Sequence, residues 1–219
     1  MYYNGRGVEK DYAKARKWYE RAAAQGYAWA QNNLGYMYEH GEGVKQDYAK
    51  AIEWYEKVAA KGHADARYNL GVMYYNGRGV EQDYAKAREW YEKAAAKGHA
   101  KAQYNLGYMY EHGEGVKQDY AKAREWYEKA ATQGNAKAQC NLGNMYYEGY
   151  GVKQDYAKAR EWYEKAATQG NAKAQNTLGY MYDEGHGVKQ DYANAREWYE
   201  KAAAQGNANA QFNLGYMYH

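Results

Sequence analysis

The chain contains no proline and no serine, a single cysteine, and no long apolar run. Without proline, every helical stretch is spared its strongest breaker. Without serine there is no serine nucleophile. Cys140 stands alone, so it cannot close an intrachain disulfide and says little about redox compartment. Neither histidine nor lysine is adjacent to it in sequence to lower its pKa, so thiolate catalysis is not expected there. No apolar segment approaches the ~18 residues that a membrane span needs. Met1 runs straight into repeated sequence, so no signal peptide is expected. The net charge of +3 comes from interleaved Lys/Arg and Asp/Glu, a solvated surface rather than the basic stripe of a nucleic-acid binder.

What the chain has is repetition. DYAKAREWYEKAA occurs at residues 83, 119 and 155, with close relatives at 11, 47 and 191. Trp18, Trp54, Trp90, Trp126, Trp162 and Trp198 are each 36 residues apart. A fixed period of that length is the signature of a solenoid, in which each unit buries its apolar face against its neighbours. The 219 residues divide into a half repeat at 1–26, full repeats at 27–62, 63–98, 99–134, 135–170 and 171–206, and a half repeat at 207–219. Met1 to Asn4 correspond to Met37 to His40, the last turn of a helix, and Gly5-Arg6-Gly7-Val8 to the connection after it.

One unit shows the logic. Helix A is expected over Ala28 to His40, with Ala30, Leu34, Met37 and Tyr38 on one face. Gly41 stands where a left-handed cap is wanted, and Gly43 lets the connection turn. Asp47 is a good N-cap for helix B, which runs to about Lys61 and ends at Gly62. Tyr48, Ala51, Tyr55, Val58 and Ala59 make the buried stripe of helix B. Trp54 lies on its flank, placed to pack between units, and Glu53 with Lys57 forms an i,i+4 pair on the open face. By that placement Trp126→Ala is expected to cost ~3–5 kcal/mol, as for other buried aromatics.

These residues resemble the Sel-one-like repeat family, a branch of the tetratricopeptide-like αα-solenoids. The matched pattern is Ala100-x-Ala102, Leu106-Gly107, Tyr110, Gly113-x-Gly115-Val116, Asp119-Tyr120, Ala123-x-x-Trp126-Tyr127, Ala130-Ala131 and Gly134, and it recurs in every complete unit. Lys117 departs from it, since the family often has proline there. The paired cysteines of the family's disulfide-bridged members are missing. The resemblance implies an all-α fold, a right-handed αα-superhelical solenoid with helix A on the concave side. It also implies an adaptor or scaffold without catalysis of its own.

Other chemistry finds little support. Gly41-Glu42-Gly43 follows a helix rather than a strand, and Gln46 stands where a phosphate loop would need a third glycine. The histidines have no partners at metal-ligand spacing. No cofactor is expected, and no enzyme.

The two helices differ in how much they vary. The outer face of helix B is nearly constant, whereas the face of helix A opposite Leu34 changes from unit to unit. It reads Trp29-Asn32-Tyr36-Glu39, Asp65-Tyr68-Val72-Tyr75, Lys101-Tyr104-Tyr108-Glu111, Lys137-Cys140-Asn144-Tyr147, Lys173-Asn176-Tyr180-Asp183 and Asn209-Phe212-Tyr216. Exposed aromatics in a groove favour contact with a protein or peptide; simple drift of surface positions in a duplicated gene is the other reading. An asparagine ladder, Asn33, Asn69, Asn105, Asn141 and Asn213, is broken by Thr177. Side-chain amides in a row can pair with the backbone of an extended peptide, or with the backbone of the neighbouring repeat. The candidate peptide-binding set is therefore Trp29, Asn33, Tyr36, Tyr68, Asn69, Lys101, Tyr104, Asn105, Tyr108, Lys137 and Asn141. Lys101 with Asn105 and Lys137 with Asn141 resemble carboxylate-clamp pairs, which implies an acidic or C-terminal peptide. A second expectation is head-to-tail self-association, because Met217-Tyr218-His219 is the repeat equivalent of Met1-Tyr2-Tyr3. A chain trimmed at both ends and an engineered consensus array are the alternatives, although Trp29, Cys140 and Thr177 look like individual drift.

Overall fold

A computed structural model of the chain describes Gly7 and residues 9–218. The expectations placed on Met1 to Arg6, Val8 and His219 lie outside the described residues. Among the described residues there are twelve α-helices and no strand. Helices of the A type are α2 (Ala28–His40), α4 (Ala64–Asn76), α6 (Ala100–His112), α8 (Ala136–Glu148), α10 (Ala172–Glu184) and α12 (Ala208–Met217). Those of the B type are α1 (Tyr12–Ala24), α3 (Tyr48–Ala59), α5 (Tyr84–Ala95), α7 (Tyr120–Thr132), α9 (Tyr156–Thr168) and α11 (Tyr192–Ala203). Helix packs on next helix, making an all-α solenoid of 36-residue repeats in two compact units, Met1–Ala102 and Gln103–His219.

Local chemistry sets the ends of the helices. The Asp47 carboxylate accepts from the Lys50 amide at 3.0 Å, and Asp83, Asp119 and Asp155 repeat the bond one unit at a time. That bond satisfies an amide with no partner inside the helix, and it holds the Asp47 and Asp83 carboxyls below the usual carboxylate range. Gly41 closes α2 at φ 71°, and Gly43 carries φ 68° against the backbone of Tyr12. Both angles lie in the left-handed region that L side chains avoid.

The core depends on one tyrosine per repeat. Tyr55, Tyr91, Tyr127, Tyr163 and Tyr199 are the largest fully buried side chains. Each ring lies across a glycine of the paired helix A: Gly35, Gly71, Gly107, Gly143 and Gly179. A methyl carbon added at any of these glycines would come within 2.5–2.6 Å of the ring. Alanines such as Ala66, Ala94 and Ala130 fill the remaining contact, with Leu70, Met73, Leu106 and Met109 beside them.

The tryptophans from Trp54 to Trp198 sit on the flank of helix B, half-buried rather than fully buried as the cost assigned to Trp126→Ala assumes. Trp54, Trp90, Trp162 and Trp198 are half-buried and pack on the edge of the core formed by their own helix A and the preceding helix B. Their outer faces carry a lysine: Lys93 lies 4.3 Å from the Trp90 ring centre and Lys129 4.2 Å from that of Trp126. Lys57 likewise lies over Trp54. The core aromatic is therefore Tyr127, not its neighbour Trp126.

Buried glutamines join the repeats. Gln139 Nε2 donates to the Ala131 carbonyl at the end of α7, and its Oε1 accepts from Gln169 at the end of α9. Gln175 repeats the pattern with Ala167 and Gln205. In unit Met1–Ala102 the same reach is made by Arg67, which donates to the carbonyls of Ala59 and Lys93.

The Tyr–Gly contact has a direct test. Gly143→Ala should lower stability by about 1–3 kcal/mol, because the buried Tyr163 ring has to shift. Gly215→Ala, whose new carbon meets nothing within 4 Å, should be neutral or gain up to ~1 kcal/mol of helix propensity. Equal melting temperatures for the two variants would remove the role given to the contact.

Candidate functional site

The variable face of helix A is only partly open. Helical periodicity places position 32 of the repeat outward, opposite Leu34, yet Asn32 is 7% exposed and Cys140 2%. Glu39, also expected outward, is 6% exposed. Glu39 is drawn in by the core tyrosine, whose hydroxyl must find a partner once its ring is buried. Tyr55 donates to Glu39 at 2.8 Å, Tyr127 to Glu111, and Tyr199 to Asp183 at 3.4 Å. In repeat 135–170 the acid is replaced by Tyr147, and Tyr163 donates to Asn144 instead, at 2.8 Å. Burial beside an acid pushes the Tyr127 and Tyr199 hydroxyls well above the usual phenol range, so they stay protonated donors.

In unit Met1–Ala102, Trp29 is 54% exposed and meets His63 edge-on at 4.7 Å. Tyr36 is exposed and stacks on His40, with ring centres 3.9 Å apart. Tyr68 is half-buried, stacked on His99 at 4.5 Å and tilted against Tyr91. His99 in turn lies 3.3 Å from Asp65, and burial holds its pKa below the ordinary value. Asn33 is hydrogen-bonded to Tyr19 of the preceding helix B, and Asn69 Nδ2 donates to Asn32 at 3.3 Å. Lys101 is exposed near the start of α6.

In unit Gln103–His219, Tyr104 is half-buried against Tyr127, 5.8 Å between ring centres, and Tyr108 stacks on His112 at 4.0 Å. Asn105 is half-buried and Lys137 exposed. Asn141 Nδ2 donates to the Tyr127 hydroxyl at 2.9 Å, and Asn213 Nδ2 to Asn176 at 3.4 Å. Asn33, Asn69, Asn141 and Asn213 therefore bond side chains of the preceding repeat, rather than the backbone expected from sequence.

A pocket of about 310 Å³ opens on this face. Of the candidate residues it gathers Tyr104, Tyr108, Lys137 and Asn141. The candidate set omits six more of its lining residues, Glu111, His112, Cys140, Asn144, Asn171 and Lys173. For Cys140 and Asn144 the signal is present in the changing letters at positions 32 and 36 of the repeat, but it shows only when the residues are compared by size. Burial pushes the Cys140 thiol up to about 11, so it remains protonated. Among the described residues no three His, Cys, Asp or Glu side chains come together as a metal site would require, and no helix is long and apolar enough to cross a membrane.

Comparison with known proteins bears on the whole chain. The Sel1 repeat model matches residues 1–27, 30–63, 64–99, 100–135, 136–171, 172–207 and 208–219. The solved structure of c5321, a protective antigen present in uropathogenic Escherichia coli strains and displaying an SLR fold, is 47% identical with a TM-score of 0.92. That match covers 99% of this chain and 46% of the other, so the chain spans about half the length of that relative. A Sel1 repeat protein from Oxalobacter formigenes is 41% identical with a TM-score of 0.89, over 94% of this chain and 84% of that one. No curated protein matches the chain. With repeat matches along its length and these structural neighbours, the chain belongs to the Sel1 repeat family.

Proposed function

We propose that the chain is a non-catalytic adaptor that binds an extended protein segment on the face of its A helices. Sel1 repeat proteins commonly serve as protein-interaction scaffolds. The observation that carries the reading is the set of exposed aromatic rings on the A helices. On helix B the tryptophans from Trp54 to Trp198 each lie beneath a lysine. On helix A, Trp29, Tyr36, Tyr180, Phe212 and Tyr216 are exposed. Aromatic rings open to solvent are the usual anchors of protein contacts. Within unit Gln103–His219, Lys101's counterparts Lys137 and Lys173 are also exposed on this face, which favours an acidic segment or a C-terminal carboxylate.

The experiment is peptide display against the full chain, with the double variant Lys137→Glu, Lys173→Glu as counter-screen. Acidic peptides are expected to be selected and to lose about tenfold or more in affinity for the double variant, since two attractive contacts become repulsive. Unchanged affinity would move the site off this face. Asn141→Ala separates binding from folding. It should cost about 1 kcal/mol of stability even without ligand, because the Tyr127 hydroxyl loses a partner.

A second reading rests on α12. The space at Gly215, where each equivalent glycine from Gly35 to Gly179 receives a tyrosine ring, meets nothing within 4 Å, and Phe212 and Tyr216 are 74% and 77% exposed. A B helix from a second copy, such as α1 with Tyr19, has the matching shape. The mass from light scattering should then rise with concentration, and Gly215→Leu, which fills the socket, should hold the protein at the monomer mass. A constant monomer in the parent chain would dismiss self-association.

A further inference from the structure

The pocket on unit Gln103–His219 lies where the repeat carries two short side chains, Cys140 and Asn144. Positions 32 and 36 of the repeat carry Asn32 and Tyr36, Tyr68 and Val72, Tyr104 and Tyr108, Cys140 and Asn144, Asn176 and Tyr180, Phe212 and Tyr216. Every pair but one contains an aromatic ring. In the exception, Cys140 and Asn144, the room a ring would take is left open, and the 310 Å³ pocket lies there. A volume at the low end for ligand sites suits one side chain rather than a cofactor.

The walls match that occupant. Tyr104 and Tyr108 of α6 line one side, Tyr104 packed on Tyr127 and Tyr108 stacked on His112, which also lines the pocket. Ring edges and faces of this kind favour a further ring in stacked or edge-on contact. Cys140 gives the floor a polarisable, uncharged sulfur. The lining also includes the side-chain amides of Asn141, Asn144 and Asn171, able to bond a phenol hydroxyl or a peptide group. Lys137 and Lys173, both exposed, add two positive charges, while the Glu111 carboxylate already accepts from Tyr127 and Asn141.

We infer that this pocket receives the aromatic side chain of a bound peptide, whose acidic neighbours meet Lys137 and Lys173. The bound ring replaces, from outside, the one that repeat 135–170 lacks. This rests on the peptide-binding reading and makes it specific: one repeat selects the anchor residue, and the remaining face tolerates a range of flanking residues.

The test uses the full chain labelled with nitrogen-15 and two blocked peptides, acetyl-Glu-Tyr-Glu-amide and acetyl-Glu-Ala-Glu-amide. The aromatic peptide should shift the side-chain amide signals of Asn141, Asn144 and Asn171 and bind about tenfold or more tightly than the alanine peptide, a usual margin for a buried aromatic anchor. Cys140→Tyr copies Tyr104 and Tyr68, which already pack on the tyrosines of their own helix B. It should fill the pocket, leave the melting temperature within a few degrees, and abolish those shifts. Should Cys140→Tyr fail to fold, the exposed double variant Lys137→Glu, Lys173→Glu has to weaken the aromatic peptide on its own. Equal affinity for the two peptides, or binding that survives Cys140→Tyr, overturns the inference. Display-selected peptides that bind without moving these three amides would do the same while leaving the adaptor reading intact. A display experiment that selects nothing would remove both.

Discussion

The insertion of a tyrosine ring over a helix-A glycine is the contact on which the rest of the structure depends. It brings two helices together across a side chain on one and none on the other, so that backbone and ring meet directly. Burying the ring supplies apolar contact worth roughly 2–3 kcal/mol per repeat, but it also takes a hydroxyl out of water. That second effect shapes the face above it. Glu39, Glu111, Asp183 and Asn144 all turn inward to accept from a buried phenol. The variable face of helix A is thus constrained from below, and what varies freely is the smaller set of residues that the phenols do not use.

Neighbouring repeats are tied by the same requirement. Glu39 accepts from Tyr55 on one oxygen and from Arg78, 39 residues away, on the other. In repeat 135–170, Tyr147 holds the equivalent place and pairs with His186 at 2.6 Å. At these two junctions an acid meets a base and a phenol meets an imidazole. A buried polar group left without a partner costs about 1–3 kcal/mol, which both bonds of the buried Glu39 carboxylate avoid.

Much of this was legible in the sequence. Repeat length, helix type, the aspartate caps and the paired glycines all follow from local rules, because each depends on residues a few positions apart. Trp126 and Tyr127 show where such rules stop. Both are aromatic and adjacent, and helical periodicity puts both near the core; the difference is that Lys129 can cover a tryptophan at the rim, whereas the glycine that admits Tyr127 lies 20 residues away at Gly107. Asn141 was ambiguous for the same reason. Its partner, the Tyr127 hydroxyl, sits in the preceding helix, and a single helical wheel contains no information about that helix.

A pocket is harder still to read, since it consists of atoms that are missing. In a chain whose units are nearly identical, Cys140 and Asn144 look like drift one at a time. Taken as a pair they leave repeat 135–170 without a ring where its neighbours have one. Repetition makes that deficit visible, because the other repeats show what the fold normally places there. It also bears on what the deficit means. The Tyr163 hydroxyl is still satisfied, by Asn144, and the floor is closed by Cys140. The repeat has therefore kept its polar bonds and its packing while giving up volume on the open side.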